Sequence, residues 1–360
     1  MTETAKTSVR SGENELRVTR SRRNVAWSGV GAVVVIVVLF LFPYYIGAGT
    51  TGIMVQALIV LTLASMWNLL AGYAGLVSVG QQAFFGLGAY FVLIPAMHGV
   101  TPWLGLPIGA IAAAACAVPL WWLVSRLRTG YFAIATWVLA SVVMLIIEQI
   151  SSIGGGTGEP LPGLTGMSGA VLTADTYWAA LTVAVLALAA VYFLLRSRVG
   201  LVLTAIRDDE RAARSSGVRV GMARLLVFVV AAAGCGAAGG VLAIQQLQVV
   251  PGTSGGVFSV QWTAEMAFAV IIGGIGTIEG PIVGTAVFII LQQTLESYNA
   301  WYLIILGLVA IVIAIFFRRG LWGTLDDKVN LRLLPTGYYL WPAGETRRRF
   351  RRSKVDVAQG

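Results

Sequence analysis

The side chains able to do chemistry are few in this chain. There is one histidine, His98, two cysteines, Cys116 and Cys235, and 16 carboxylates in 360 residues. Both cysteines fall inside apolar runs and read as buried structural thiols, and no disulfide framework, zinc site or haem site can be built from this set. No G-x-x-x-x-G-K-S/T phosphate loop occurs, so ATP binding in the Walker manner is not expected. No clustered catalytic set is present, which argues against a membrane enzyme, and neither a metal nor a cofactor is expected.

What remains is backbone chemistry at two glycine-rich interruptions. The first is Gly72-Tyr73-Ala74-Gly75-Leu76-Val77-Ser78-Val79-Gly80-Gln81-Gln82, followed by Phe84-Phe85-Gly86-Leu87-Gly88. The second is Gly273-Gly274-Ile275-Gly276-Thr277-Ile278-Glu279-Gly280-Pro281-Ile282-Val283-Gly284. Each follows one apolar run and precedes another. Glycine costs a helix about 1 kcal/mol and an interior proline about 3. Non-helical backbone at membrane depth survives only when buried in protein or lining a wet cavity. Paired glycine-broken segments therefore point to a translocation path. A plain turn between spans, or glycine as a close-packing spacer, is the simpler alternative. The shared G-x-x-G start only hints at an internal repeat.

A third stretch is charged, running from Arg196 through Thr204-Ala205-Ile206-Arg207-Asp208-Asp209-Glu210-Arg211-Ala212-Ala213-Arg214 to Gly217. Too polar to cross a bilayer, it reads as a short helix capped by Thr204 and stopped by Gly217. Glu210 and Arg214 stand at i,i+4, with Val202, Ile206 and Ala213 on another side. A solvated linker helix and a docking helix for a soluble partner both fit. Polar residues in apolar segments are sparse. Glu265 and Glu296 sit near segment ends and are expected at an interface, while Gln292 and Gln293 could bond between helices. The lack of a carboxylate at the middle of a clear span argues against a proton relay.

The elements that must position these residues are membrane helices. Hydrophobic residues make up 57% of the chain and charged residues 11%, under half the charged share of a soluble domain, about 25%. Disorder is excluded by the same numbers, and no outer-membrane strand pattern appears. A helical span needs about 20 apolar residues. Ten candidate spans follow, at 26–46, 52–71, 83–99, 102–124, 131–150, 177–195, 223–244, 263–276, 281–297 and 301–317. If the N-terminus is cytoplasmic and all ten cross, all 25 Lys and Arg lie on the cytoplasmic side, as the positive-inside rule requires. Eight crossings would pass the same test if two adjacent weak segments in 244–297 were re-entrant. The expected organisation is a basic cytoplasmic tail at 1–25, a transmembrane domain at 26–319 with a cytoplasmic loop at 196–224, and a basic cytoplasmic tail at 320–360. The long N-terminal tail does not read as a cleaved signal peptide.

Residues 68–90, from Asn68-Leu69-Leu70-Ala71-Gly72-Tyr73 to Gly88-Ala89-Tyr90, strongly resemble the signature of the LivM-type permeases of bacterial branched-chain amino acid ABC importers. Three further stretches resemble the family in the same order: Gly154-Gly155-Gly156-Thr157-Gly158 with Gly163-Leu164, then 205–217, then 304–323. The resemblance covers about 26–323. It implies an all-helical importer domain of the bacterial inner membrane, with about ten helices and no ATPase of its own. The implied partners are a second homologous permease, two cytoplasmic ATPase subunits and an extracytoplasmic substrate-binding protein. Under this resemblance the substrate path includes Gly72, Tyr73, Gly75, Ser78, Gly80, Gln81, Gln82, Phe84 and Phe85, with Gly273, Gly274, Gly276, Thr277 and Gly280 from the second break. The loop corresponds to the E-A-A-x-x-x-G motif that docks the ATPase. Here Ala212, Ala213 and Gly217 match, Arg211 holds the glutamate position, and Glu210 comes one residue early. Arg207, Asp208, Asp209, Glu210, Arg211, Ala212, Ala213 and Gly217 are the implied coupling residues. Branched-chain or similar hydrophobic amino acids are the implied substrates; urea, amides or other small solutes are the alternative, and a lone ion-coupled carrier is a third reading. The C-terminal Arg347-Arg348-Arg349-Phe350-Arg351-Arg352, with Tyr338, Tyr339 and Trp341, suits anionic lipid; a solvated tail fits equally, and nucleic acid is not an expected partner.

Overall fold

The computed structural model describes every residue except 1–15, 20–22, 128, 165, 254, 296–300, 318–319, 330–338 and 343–360. Glu296, most of the basic residues of the two tails and the Arg318-Arg319 exit lie outside the described residues. The chain divides into two compact units, residues 35–331 and residues 1–34 with 332–360. In the second unit, strand β1 (Leu16–Thr19) pairs antiparallel with the C-terminal strand Tyr339–Pro342, with Arg17 opposite Trp341.

The larger unit is helical. After β1 come α1 (Arg23–Tyr45), α2 (Ala48–Asn68), α3 (Gln81–Met97), α4 (Pro102–Val124), α5 (Thr129–Glu148) and α6 (Gly169–Arg196). The charged stretch forms α7 (Arg198–Asp208) and α8 (Glu210–Ser215). They are followed by α9 (Val220–Gln246), α10 (Val260–Gly273), α11 (Glu279–Leu295), α12 (Trp301–Phe316) and α13 (Gly320–Val329). Each of the ten apolar runs read from the sequence is thus a helix. Among the described residues, five helical stretches are long and apolar enough to cross a membrane: Ala48–Tyr73, Pro102–Val124, Gly130–Glu148, Gly169–Arg196 and Val220–Gln246. The 14 residues of α10 reach only about 21 Å at 1.5 Å per residue, short of a hydrocarbon core of about 30 Å. Helix α13 falls where a tail was expected, and it packs on α10 and α11.

Small residues hold the centre together. A Cβ on Gly88 would overlap the Gly236 carbonyl oxygen, and one on Gly239 would overlap that of Phe85. One on Gly109 would stand 2.8 Å from the Gly88 oxygen. The backbones of α3, α4 and α9 touch along this seam, as helices do where only van der Waals contact drives their association. Helix α1 is fastened differently. Pro43 lacks the N–H that would bond the Leu39 carbonyl four residues earlier. The buried Tyr177 hydroxyl of α6 donates to that oxygen at 2.7 Å, and the Trp178 indole donates to the Phe40 carbonyl at 3.2 Å. Phe42 stacks on Tyr177 and Phe40 on Trp178.

Helix α9 orders the two ends. Its 27 residues span about 40 Å. At its start Val220 and Ala223 pack against α7 and α8. At its far end β3 (Gln248–Val249) pairs antiparallel with β2 (Glu159–Pro160), joining the 150–166 and 247–259 loops. Large apolar side chains point outward on α1, α4, α5 and α12, among them Val38, Ile111, Trp122, Trp137 and Ile315. So much exposed apolar surface belongs to a protein covered by lipid or a partner.

Candidate functional site

The first break starts as a π-helical turn, Leu69–Tyr73, and then runs as irregular backbone to Gly80. Its backbone is satisfied by protein. Leu76 N–H bonds the Leu70 carbonyl at 2.9 Å, the Trp67 indole donates to the Ser78 carbonyl at 2.9 Å, and Val79 N–H bonds the Thr136 hydroxyl at 3.1 Å. Pairing of this kind is what permits irregular backbone inside a membrane domain. Gly80 is pressed so closely on α5 that a Cβ there would overlap the Thr136 carbonyl.

The second break lies between α10 and α11. The Thr277 hydroxyl donates to the Gly274 carbonyl at 2.9 Å and accepts from Gly280 N–H at 3.0 Å, turning the chain into α11. A Cβ on Gly273 would overlap the Gly280 carbonyl, so α10 and α11 leave the break in backbone contact.

These two breaks, which only hinted at a repeat in the sequence, meet. The buried carboxamide of Asn68 accepts from Gly276 N–H at 2.8 Å and donates to the Thr277 carbonyl at 2.7 Å, across 209 residues of sequence. Gly72 lies against Gly276, where a Cβ would stand 2.6 Å from the Gly276 nitrogen and 2.8 Å from its Cα. Gly276 has φ +78°, and a Cβ on it would come within 2.8 Å of an Arg207 guanidinium nitrogen. Gly320, at the start of α13, also presses on the Gly274 backbone. Sequence reasoning did not single out Asn68 as a site residue; a carboxamide inside the apolar run 52–71 was the available signal.

Five of the side chains expected along the path are shut inside this chain, while Tyr73 and Thr277 are half-buried. Ser78, Gln81, Gln82, Phe84 and Phe85 are all buried. Gln81 accepts from the Cys235 thiol of α9 at 2.8 Å, and Gln82 accepts from the Thr263 hydroxyl of α10. Phe84 meets Phe228 edge-on at 5.3 Å, and Phe85 tilts on Trp262 at 4.7 Å. Gln81 and Gln82 thus bind helices together. Gln292 does the same, accepting from Gln56 of α2 at 3.5 Å. Glu265 departs from expectation: it is 4% exposed rather than interfacial, and Gln261, one turn earlier, donates to it at 3.0 Å. Helix α10 is packed by α2, α11 and α13, and its Glu265 is buried although linear position had put it near an end.

The charged stretch is an elbow of two helices. Ser197, not Thr204, caps the first, accepting from Val199 N–H at 3.1 Å; Thr204 lies inside α7 and donates to the Gly200 carbonyl. The chain breaks again at Asp209, whose carboxylate accepts from Arg211 and Ala212 N–H at 2.8 and 3.1 Å and caps α8. Gly217, at φ +82°, ends α8 while Val218 N–H bonds the Ala213 carbonyl at 3.1 Å, a helix stop that favours glycine. Ile206, Ala213, Val220 and Ala223 form the elbow's own core, flanked by Val202 and Val218. Ala213 therefore faces inward, and Arg211, Ala212 and Arg214 face out. Glu210 is held by Arg214 at 2.6 Å and by Arg224 of α9 at 2.9 Å. Partial burial opposes its charge, but the Arg224 hydrogen bond and the charges of Arg224 and Arg214 outweigh that and hold the carboxyl below the ordinary glutamate value. Arg224 as the partner was not foreseen.

Comparison with known proteins identifies the family. The family described as branched-chain amino acid transport system / permease component matches residues 49–314. The high-affinity branched-chain amino acid transport system permease protein LivM of Escherichia coli K12 is 27% identical over 327 residues, covering 83% of this chain and 76% of that protein. LivM of Salmonella typhimurium is 26% identical over 324 residues, 82% and 75% of the two chains. No solved structure matches. With its glycine-broken helices, exposed apolar flanks and charged elbow, the chain belongs to the family of permease components of branched-chain amino acid transport systems.

Proposed function

We propose that this chain is the translocating subunit of an ATP-driven importer for branched-chain or similar hydrophobic amino acids in a bacterial inner membrane. It works beside a second homologous permease, takes its energy from two cytoplasmic ATPases and receives substrate from an extracytoplasmic binding protein. The observation that carries this reading is the elbow: its back is packed on α9, its tip is exposed, and it lies at the same end as both glycine breaks. An ATPase bound to Arg211, Ala212 and Arg214 could move α7 and α8 as one body against the joined breaks. Glu210 is committed to Arg214 and Arg224, so Arg211 is the polar side chain offered at the motif's glutamate position.

Ten crossings with both termini inside are supported by the one-sided distribution of the 25 basic residues. The pairing of β1 with the strand Tyr339–Pro342 supports termini that share a side. An apolar amino acid needs apolar walls and a polar partner for its carboxylate, and the N-terminal ends of the broken helices, where the helix dipole is positive, supply the latter. The central path then lies where Tyr73, Gly75 and the second break meet the partner permease. The test is reconstitution of the full complex in proteoliposomes. ATP-dependent uptake of labelled leucine but not urea is expected. Uptake of urea alone favours the alternative substrate class, and uptake by the single chain down an ion gradient refutes the importer reading.

A further inference from the structure

The joint between the two breaks has a third member, Arg207 of α7. Asn68 ties the breaks through two hydrogen bonds, and Gly72 and Gly276 leave no room between them for a methyl group. Over the open side of Gly276 lies the Arg207 guanidinium, within 2.8 Å of where a Cβ would stand, with the Gly72 carbonyl 3.3 Å from that same point. Arg207 and Glu279, the first residue of α11, are both within Coulombic reach of the Tyr73 phenol at the end of the first break. Arg207 neighbours Ile206, which is fixed in the elbow's core, so the two move together. The side chain itself remains exposed beyond this contact.

We infer that Arg207 is a positioning residue that acts on the glycine joint rather than on the ATPase. Its planar cation closes the joint while the elbow is at rest, and a shift of the elbow withdraws it from Gly276. The glycine at 276 then has two causes, its positive φ and the room the guanidinium needs. This rests on the importer reading above.

The experiment is a double-mutant cycle in the complete complex, with permease pair, ATPases and binding protein in proteoliposomes. Wild type, Arg207→Gln, Gly276→Ala and the double variant are compared by leucine imported per ATP hydrolysed. Each single change is expected to lower that ratio about tenfold, within the usual range of coupling between two sites. The double variant is expected to be no worse than the poorer single, because both remove one contact. Gly276→Asn, which tolerates positive φ better, serves where the alanine variant fails to assemble. Arg207→Lys, which keeps charge but loses the planar fork, is expected to recover only part of the ratio. Additive losses, about a hundredfold in the double, would put Arg207 on the ATPase and overturn the inference, as would a wild-type ratio in Arg207→Gln. Absence of ATP-driven uptake in the wild-type complex would instead count against the importer reading.

Discussion

Gly72→Ala is the substitution that most directly loads the joint. An added Cβ would stand 2.6 Å from the Gly276 nitrogen and 2.8 Å from its Cα, where ordinary contact begins near 3.4 Å. The new methyl would also run into the Asn68 Oδ1 that holds the joint; the two Gly276 atoms are backbone and cannot rotate away, so the breaks must part by about 0.8 Å, the difference between 2.6 and 3.4 Å. The Asn68 hydrogen bonds of 2.7 and 2.8 Å would stretch to about 3.5 Å, beyond useful range. Overpacking costs about 1–3 kcal/mol, and each buried group left unpaired about 1–3 more. The expected loss at the joint is about 4 kcal/mol, with uptake falling in step. Gly221→Ala is the control, since nothing lies within 4 Å of its added methyl group in α9, where alanine should stabilise by about 0.5–1 kcal/mol. The assay is the temperature at which the purified complex loses monodispersity, together with leucine uptake. A Gly72→Ala complex that melts and transports like Gly221→Ala would refute the close approach of the two breaks.

Tyr177→Phe removes the donor that replaces the missing Pro43 N–H and leaves the Leu39 carbonyl unpaired; a loss of about 1–3 kcal/mol should appear as earlier thermal release of α1 to proteolysis. Ala213→Asp places a charge in the elbow's core and should make 198–219 protease-sensitive, whereas Ala212→Asp should leave the elbow intact and weaken only ATPase binding, both read on the purified chain. The Glu210 pairing is linked to pH. Its folded value lies below the ordinary one, so the stabilisation is complete above the ordinary glutamate value and is lost as pH falls through the folded one. Hydrogen-exchange protection in α8, taken relative to the intrinsic rate at each pH, should therefore be constant through neutral pH and fall only in acid, and Glu210→Gln should abolish that fall.

Much of this molecule was legible in the residues themselves. The apolar runs became helices where they were drawn, because a segment of that composition has one stable form in a membrane. The elbow's core of Ile206 and Ala213 followed from helical spacing, and the Gly217 stop from local backbone chemistry. Local reasoning went astray at Thr204, because a seryl cap seven residues earlier starts α7 sooner and Asp209 restarts the helix as α8. It also misplaced Glu265, whose burial depends on what packs against α10 rather than on its distance from an end.

By itself the sequence determined that the chain is a helical membrane protein and that two glycine breaks interrupt it. Composition and periodicity suffice for these, since each concerns what one segment can do with water or lipid. Only the tertiary structure decided that the breaks form a single joint through Asn68, Gly72 and Gly276, that Arg207 covers it, and that Glu210 belongs to Arg224. Those contacts bridge as many as 209 residues, and they exist only because α2, α7, α9 and α10 pack together at one end of the bundle, which no single segment encodes.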